Sequence, residues 1–329
     1  MDISEVLESF ANKNCLVTGG TGLIGRPLVD LLVNAGARVD VISLDNIQPN
    51  PKVTYVKADL RKFNICLDFI EGYDYVFHLV GIKAGVDATA KFPSTMFVPY
   101  LQFNTNVLEA CRLNKVGKVL YTSTVGTYPG NREVFKEGDI IDGNPMDKYA
   151  GWAKRMAELQ IQSYKEQYGL KNFIAVRPTN VYGPGDNFDP NNAMVIPSLM
   201  YRIKSGENPL KVWGDGKAVR DFAYSEDIAI GILQAIYHTP DVPYLNLGTG
   251  IGYSIEEVLK NLKMFIDFEY EFDTSKPSGF PRRVMDISLA EKLINYSPQT
   301  TLLEGLKNTW EWFNNHYSEY LLRKNYFTE

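Results

Sequence analysis

Cysteine and histidine are scarce in these 329 residues, three of each, and both sets are scattered: Cys15, Cys66 and Cys111, and His78, His238 and His316. An odd number of widely spaced cysteines excludes a disulfide framework, and no Cys/His spacing matches a zinc site. All six read as structural, no metal is expected, and the compartment reads as a reducing one, the cytoplasm. No apolar run reaches the ~18 residues that a membrane-spanning helix needs. The first residues, Met1 to Asn14, carry Asp2, Glu5 and Glu8 where a leader has basic residues and an apolar stretch, so none is expected. A basic excess is missing too: 34 Lys and Arg stand against 39 Asp and Glu, a net charge of −5. That balance argues against general binding to nucleic acid or to an anionic membrane, and leaves room for a local basic pocket for one anionic ligand.

What is present is an ordinary globular composition, 45% hydrophobic, over a length that can bury a full core. At ~150 residues per domain the chain holds two domains, or one large α/β domain with a cap. Cys15 to Thr18 reads as a short apolar strand, residues 26–35 as a helix with Leu28, Leu31 and Leu32 on one face, stopped by Gly36. Further strands are expected at 39–44, 53–56, 75–80, 118–122 and 172–177, and helices at 97–113 and 148–168. Strands alternating with helices predict an α/β fold, a Rossmann-type doubly wound parallel sheet. Beyond about residue 180 the chain is rich in Pro and Gly, and its elements read as short and less regular. The expected division is therefore 1–180, a dinucleotide-binding domain with segments continuing to about 250, and 181–329, a smaller mixed α/β lobe that contacts substrate.

Gly19, Gly22 and Gly25 form a GxxGxxG string between the first strand and the first long helix. Glycines let backbone N–H groups approach a pyrophosphate, with Leu23 and Ile24 in the same turn, and the helix N-terminus adds favourable partial charge. The string alone is weak; strand before, helix after and second strand following make it a dinucleotide site. At the end of the second strand Ser43 occupies the tip and Asp45 lies two residues on. A carboxylate there hydrogen-bonds ribose hydroxyls and repels a 2′-phosphate, and no arginine occurs between Arg38 and Arg61, so NAD is favoured over NADP. Asp59 and Leu60 are placed to meet the adenine, with Asp59 as a helix cap the competing reading.

These segments resemble the extended short-chain dehydrogenase/reductase family, the NAD-dependent epimerases and dehydratases. The resemblance runs through Thr18 to Gly25, Asp59-Leu60, His78-Leu79-Val80, Thr122-Ser123-Thr124, Arg177 to Pro184, Trp213 to Gly216, Arg220-Asp221-Phe222 and Leu247 to Gly250. The stretches 186–190, 195–197 and 275–279 resemble the GDP-L-fucose synthase branch and its GDP-sugar relatives. The resemblance implies hydride transfer between nicotinamide and a sugar carbon, usually carbon 4. It assigns cofactor contacts to Leu79 and to a lysine, and catalysis to a Ser/Thr, a Tyr and that Lys. The tyrosinate takes the hydroxyl proton, the ammonium lowers the Tyr pKa, and the Ser/Thr orients the reacting oxygen.

Counting back four from Tyr128 places the Ser/Thr role on Thr124, with Ser123 the fallback and a strand-end hydrogen bond the plain alternative. The lysine is Lys154. The family's Tyr stands four residues before it; here Tyr149 is five before, and Ala150 is four before. Either an irregular first turn restores the geometry, or Tyr149 acts from just before the helix, or the base is absent. The fucose synthases also use a Cys/His pair to invert carbons 3 and 5; Gly126 and Met194 stand at those positions and carry no proton. The resemblance thus implies the hydride step alone, on a GDP-linked manno-type hexose or heptose, and a GDP-heptose 4-dehydrogenase of surface-polysaccharide or capsule synthesis fits the missing pair. For the nucleotide, Arg202, Arg220 and Arg283 match family positions near the diphosphate, with ordinary surface arginines the alternative. Trp213 lines the base site or is a core aromatic, Asn180 touches sugar or nicotinamide, and Lys83 reaches the sugar or is a solvated loop charge. The helices 97–113 and 150–168 form the family's dimer interface, so a homodimer is implied. Two alternatives remain: a 4-epimerase or dehydratase that retains its NAD, and a non-catalytic NAD-binding sensor or scaffold.

Overall fold

A computed structural model describes residues 3–82, 91–189 and 191–321. Strands β1 (Asn14–Thr18), β2 (Arg38–Ser43), β3 (Thr54–Lys57), β4 (Tyr75–His78), β5 (Lys118–Thr122), β7 (Phe173–Pro178) and β11 (Leu245–Leu247) form one sheet. Its order is β11-β7-β5-β4-β1-β2-β3, and every pairing in it is parallel. Alternate side chains serve opposite faces, as the strand period of two requires. Cys15 and Val17 join Val41, Phe77 and Leu120 in one core; Leu16 joins Ile42, Val76, Val119 and Tyr121 in the other.

The first core is closed by α1 (Ile3–Glu8), α2 (Gly25–Asn34) and α7 (Ser225–His238). The second is closed by α3 (Phe63–Phe69), α4 (Pro93–Leu113) and α5 (Lys148–Tyr168). In α2 the buried Leu28, Val29 and Leu32 are the stripe that the sequence pattern shows. Truncating such a Leu to Ala costs about 2–5 kcal/mol. The sheet is a doubly wound Rossmann-type α/β sheet, with its strand order reversing between β1 and β4.

A second lobe is built on β10 (Val219–Tyr224), which pairs with β8 (Asn180–Tyr182), β12 (Gly252–Ser254) and β14 (Arg282–Met285); β14 also pairs with β6 (Val134–Phe135). Beside it lie the pair β9 (Leu210–Trp213) and β13 (Tyr270–Asp273), α6 (Val195–Lys204), α8 (Ile255–Lys263) and α10 (Leu302–Leu321), while α9 (Ser288–Ile294) packs back into the first core through Ala290 and Ile294. The chain does not divide cleanly at 180. Residues 225–247 return to the first sheet as α7 and β11, while 134–135 leave it for the second lobe. The later elements are also longer than expected: α7 has 14 residues and α10 has 20. Among the described residues no helix is long and apolar enough to cross a membrane.

Candidate active site

A cleft of about 860 Å³ opens at the carboxyl ends of β1, β2, β4, β5 and β7, with β8 and α6 as its other wall. Ligands of doubly wound sheets bind at this end. The glycine turn lines it, through Gly19, Gly22, Leu23, Ile24 and Gly25. Gly19 has φ +73° and lies so close to β4 that a Cβ would meet Val80 backbone atoms at 3.0 Å. A Cβ on Gly25 would lie 2.5 Å from the Gly19 carbonyl oxygen. Only glycine permits this packing, which sets the first turn of α2 directly on the cleft. A dinucleotide pyrophosphate fits this cradle.

At the tip of β2, the Thr21 hydroxyl donates to Asp45 Oδ2 at 2.7 Å and lies 3.0 Å from Ser43 Oγ. The Asp45 amide in turn donates to Ser43 Oγ at 3.1 Å. Both Ser43 and Asp45 line the cleft. So do Asp59, Leu60 and Leu79. Asp59 does not cap a helix: α3 begins at Phe63 behind Lys62, and the Asp59 carboxylate takes a two-pronged bond from Arg61 at 2.8 Å. That guanidinium holds the Asp59 carboxyl below the usual carboxylate range.

At the other end of the cleft, Lys154 is buried and donates from Nζ to the Thr122 carbonyl at 2.7 Å. Its ammonium lies 5.3 Å and 5.4 Å from the Tyr100 and Tyr121 ring centres. Burial pulls its pKa down to about 8, against the pull of Glu158 and Asp147. Thr124 lines the cleft, and its hydroxyl accepts from the Gly126 amide at 3.3 Å, closing a 3₁₀ turn over 125–127. Thr122 and Ser123 also line the cleft, and their hydroxyls are buried without a hydrogen-bond partner.

Tyr149 is not among the cleft-lining residues; Ala150 is. The first turn of α5 is regular, with the Gly151 amide on the Asp147 carbonyl at 2.8 Å, so no bulge rotates Tyr149 inward. Its ring packs edge-on to Phe97 at 6.1 Å, with Lys148 Nζ 5.2 Å from the ring centre. Two residues that the sequence did not single out do line the cleft, Tyr100 and Asp147. Nothing local marks Tyr100 in mid-helix, and an Asp opening a helix reads as a cap.

Of the residues expected near a nucleotide, Asn180 lines the cleft and donates to the Asp221 carbonyl at 3.0 Å. Arg220 and Arg283 are register partners on β10 and β14. Among the described residues neither pairs with a carboxylate. Burial and the neighbouring Arg220 push Arg283 down to about 10, and its Nε is buried without a partner. Two guanidiniums thus stand side by side with no carboxylate between them. Phe280 links the two, its ring 3.8 Å under the Arg283 guanidinium and its carbonyl accepting from Arg220 at 2.7 Å. Neither arginine is among the cleft-lining residues; Phe222, two positions on from Arg220 in β10, is. Trp213 is 56% exposed, not a core aromatic, and does not line the cleft. Arg202 is spent on Glu207, with Nε to Oε2 at 2.7 Å, and does not line it either. Lys83 lies outside the described residues.

The NAD dependent epimerase/dehydratase family matches residues 15–248. The chain belongs to that family. It is 29% identical to the probable GDP-L-fucose synthase 1 of Oryza sativa subsp. japonica over 90% of each chain. Among solved structures it superposes on an epimerase from Methanothermobacter thermautotrophicus with TM-score 0.84 and 26% identity over 97% of both chains. It superposes on a GDP-L-fucose synthetase from Naegleria fowleri bound to NADP with TM-score 0.80 and 26% identity, over 93% of this chain and 94% of that one. In this chain the glycine turn and Lys154 lie in one cleft, and Ala150 stands four residues before the lysine.

Proposed function

We propose that this protein is a nicotinamide-dependent oxidoreductase acting at carbon 4 of a GDP-linked manno-type hexose or heptose, serving surface-polysaccharide sugar synthesis. The observation that carries the reading is continuity: one cleft runs from the glycine turn to Lys154 and on to Asn180 and Phe222, with Arg220 two positions before Phe222 on β10 and Arg283 its register partner. The glycine turn holds the pyrophosphate, Asp45 with Ser43 the ribose hydroxyls, and Leu60 and Leu79 flank the rings. A bound nicotinamide would supply the hydride acceptor for the sugar carbon; the hydroxyl proton leaves to a base, so one C–H and one O–H bond break and one C=O bond forms. Lys154 supplies positive charge beside the reacting oxygen, and Thr124 or Ser123 orients it. The arginine pair holds the diphosphate, and residues 181–329 supply most of the nucleotide-sugar contacts. GDP is favoured by the likeness to the rice and Naegleria proteins, whose names specify GDP-L-fucose. The Asp45 carboxylate favours NAD, even though the Naegleria structure holds NADP. The exposed Val98, Met156 and Leu159 on α4 and α5 suit a homodimer built on those helices. The cytoplasm is the proposed compartment.

A second reading is an epimerase that keeps its reduced cofactor through the cycle, favoured by the superposition on the Methanothermobacter epimerase. Nicotinamide absorbance on mixing the protein with NAD and a panel of GDP-, UDP-, CDP- and dTDP-sugars separates the two. A rise with a GDP-sugar supports the dehydrogenase. Product without a rise supports the epimerase. Tight NAD binding without turnover of any sugar overturns both and leaves a sensor or scaffold. In the same assay Arg220→Ala and Arg283→Ala each raise the KM for the nucleotide sugar about 10- to 100-fold, with kcat nearly unchanged.

A further inference from the structure

Ala150 leaves Lys154 without the phenol that family members carry one turn earlier, yet an ionisable side chain does line the cleft at the start of that helix. On a regular helix at about 100° per residue, Tyr149 points about 140° away from Lys154, while Asp147 leads into the helix from extended backbone. The cleft follows this geometry: Asp147, Ala150 and Lys154 line it together with Thr124. Asp147 stands at the N-cap position of α5, its carboxyl near the Ala150 amide but closing no cap hydrogen bond of ordinary geometry. The space in front of it is open because residue 126 is glycine. A Cβ there would sit 3.1 Å from the Asp147 Cβ and 3.7 Å from Thr124 Oγ1, between the two. The other ionisable groups nearby are engaged. The Tyr100 hydroxyl accepts from the Ile82 amide at 2.8 Å and donates to the Ile82 carbonyl at 3.1 Å. His78 is buried between Thr18 and Asn104.

We propose that Asp147 is the proton carrier of this site, taking the proton of the reacting sugar hydroxyl in the space that Ala150 and Gly126 leave beside Lys154. This rests on the oxidoreductase reading above. The hydroxyl O–H bond breaks toward an Asp147 carboxylate oxygen, the electron pair left on oxygen forms the C=O bond, and the carbon gives up its hydride to the nicotinamide. Asp147 then returns its proton to solvent through the open cleft, and the reverse sequence reduces a ketone. Burial raises the Asp147 carboxyl above the usual range, against the pull of the Ala150 amide and of Lys154. The charged and titratable groups that face it are Lys154 on its own helix and Tyr100 on α4. A raised carboxyl is a better proton acceptor than an ordinary one. Gly126, which lacks the acid of the fucose synthases, thus has a role of its own: it keeps the path from Asp147 to Thr124 clear.

The test compares wild type with Asp147→Asn, a near-isosteric change. Expected are a kcat lowered about 100-fold or more, unchanged KM and unchanged fluorescence of bound reduced cofactor, and loss of the acid limb of the wild-type kcat profile. A readout independent of turnover is the urea midpoint of the ligand-free protein. A carboxyl raised by folding destabilises the native state above its folded pKa, so Asp147→Asn raises the midpoint at pH 7.5 and the gain vanishes below the ordinary carboxylate range. Asp147→Asn protein that turns over like wild type, or loses activity only when Tyr149→Phe is added, overturns the assignment. A midpoint that is the same for both proteins at every pH also overturns it. Wild-type protein inactive toward every sugar overturns the functional reading instead, and the assignment with it.

Discussion

Lys154 is a buried ammonium held by one carbonyl, and the cost of keeping it charged is visible in a pKa of about 8. Its folded pKa lies below the unfolded value, so the unfolded chain binds more protons between about pH 8 and the ordinary lysine range, and stability rises with pH across that window. Lys154→Met is expected to raise the unfolding midpoint at pH 7 and to lose that advantage as pH climbs past 8. The same substitution lowers kcat about 100-fold or more, measured by nicotinamide absorbance. Asp45 gives the second residue-scale prediction. Removing the carboxylate that Thr21 holds at 2.7 Å lifts the repulsion against a 2′-phosphate. Asp45→Ala is expected to shift the NADH-to-NADPH affinity ratio about 10-fold or more toward NADPH, read by fluorescence titration. The sequence showed Lys154 and Asp45 because both follow local landmarks, a helix and a strand end. It did not show that Asp147 enters the cleft, because an Asp before a helix is ordinary capping chemistry.

Elements were legible where a periodic apolar pattern met a clear stop. The helix expected over 148–168 is α5 to the residue, ended by Gly169 at φ +68°, and the strand expected over 118–122 is β5. The helix expected from 97 begins at Pro93, since a first-turn proline suits a helix start as well as a loop. Two short helices, α1 and α3, gave no readable pattern, with one buried residue each to fix a face. The strand expected to reach 80 ends at His78, and the following backbone crosses directly over Gly19. That crossing makes the glycine turn an element-scale device. Gly25→Ala is expected to weaken cofactor binding about 100-fold or more while far-UV circular dichroism stays unchanged. Its methyl needs the 2.5 Å now separating helix from turn, and α2 must retreat from the cradle.

Across the whole molecule, the two faces of the first sheet and the second lobe carry separate hydrophobic cores, and buried polar networks join them. Arg177 pairs with Glu158 at 2.7 and 2.8 Å and lies against Tyr128 and Tyr244. Asp221 accepts from Thr249, Gly250 and Met285 and so ties β10 to β14 and to the turn after β11. His78, wholly buried in the first sheet, is held neutral, its pKa pushed down to about 3 by burial. The unfolded chain therefore binds a proton at this residue that the native state refuses between pH 6.5 and about 3, and stability falls as pH drops through that window. His78→Gln is expected to flatten this fall in urea midpoints between pH 7 and 4, by comparison with wild type.

Sequence alone determined the class of this protein. The alternating strands and helices, the glycine turn and the Arg220-Asp221-Phe222 string are short-range patterns, each set by neighbours within a few positions. The tertiary structure decided which distant residues meet. Arg220 and Arg283 are 63 positions apart in the chain and paired in register on adjacent strands. Gly126 and Asp147 stand 21 positions apart, with the Asp147 amide on the Gly126 carbonyl at 3.2 Å. Which side chain reaches Lys154 depended on the rotation of one regular helix against the sheet. A single residue of offset, about 100°, carries Tyr149 away from the cleft and leaves Asp147 facing it.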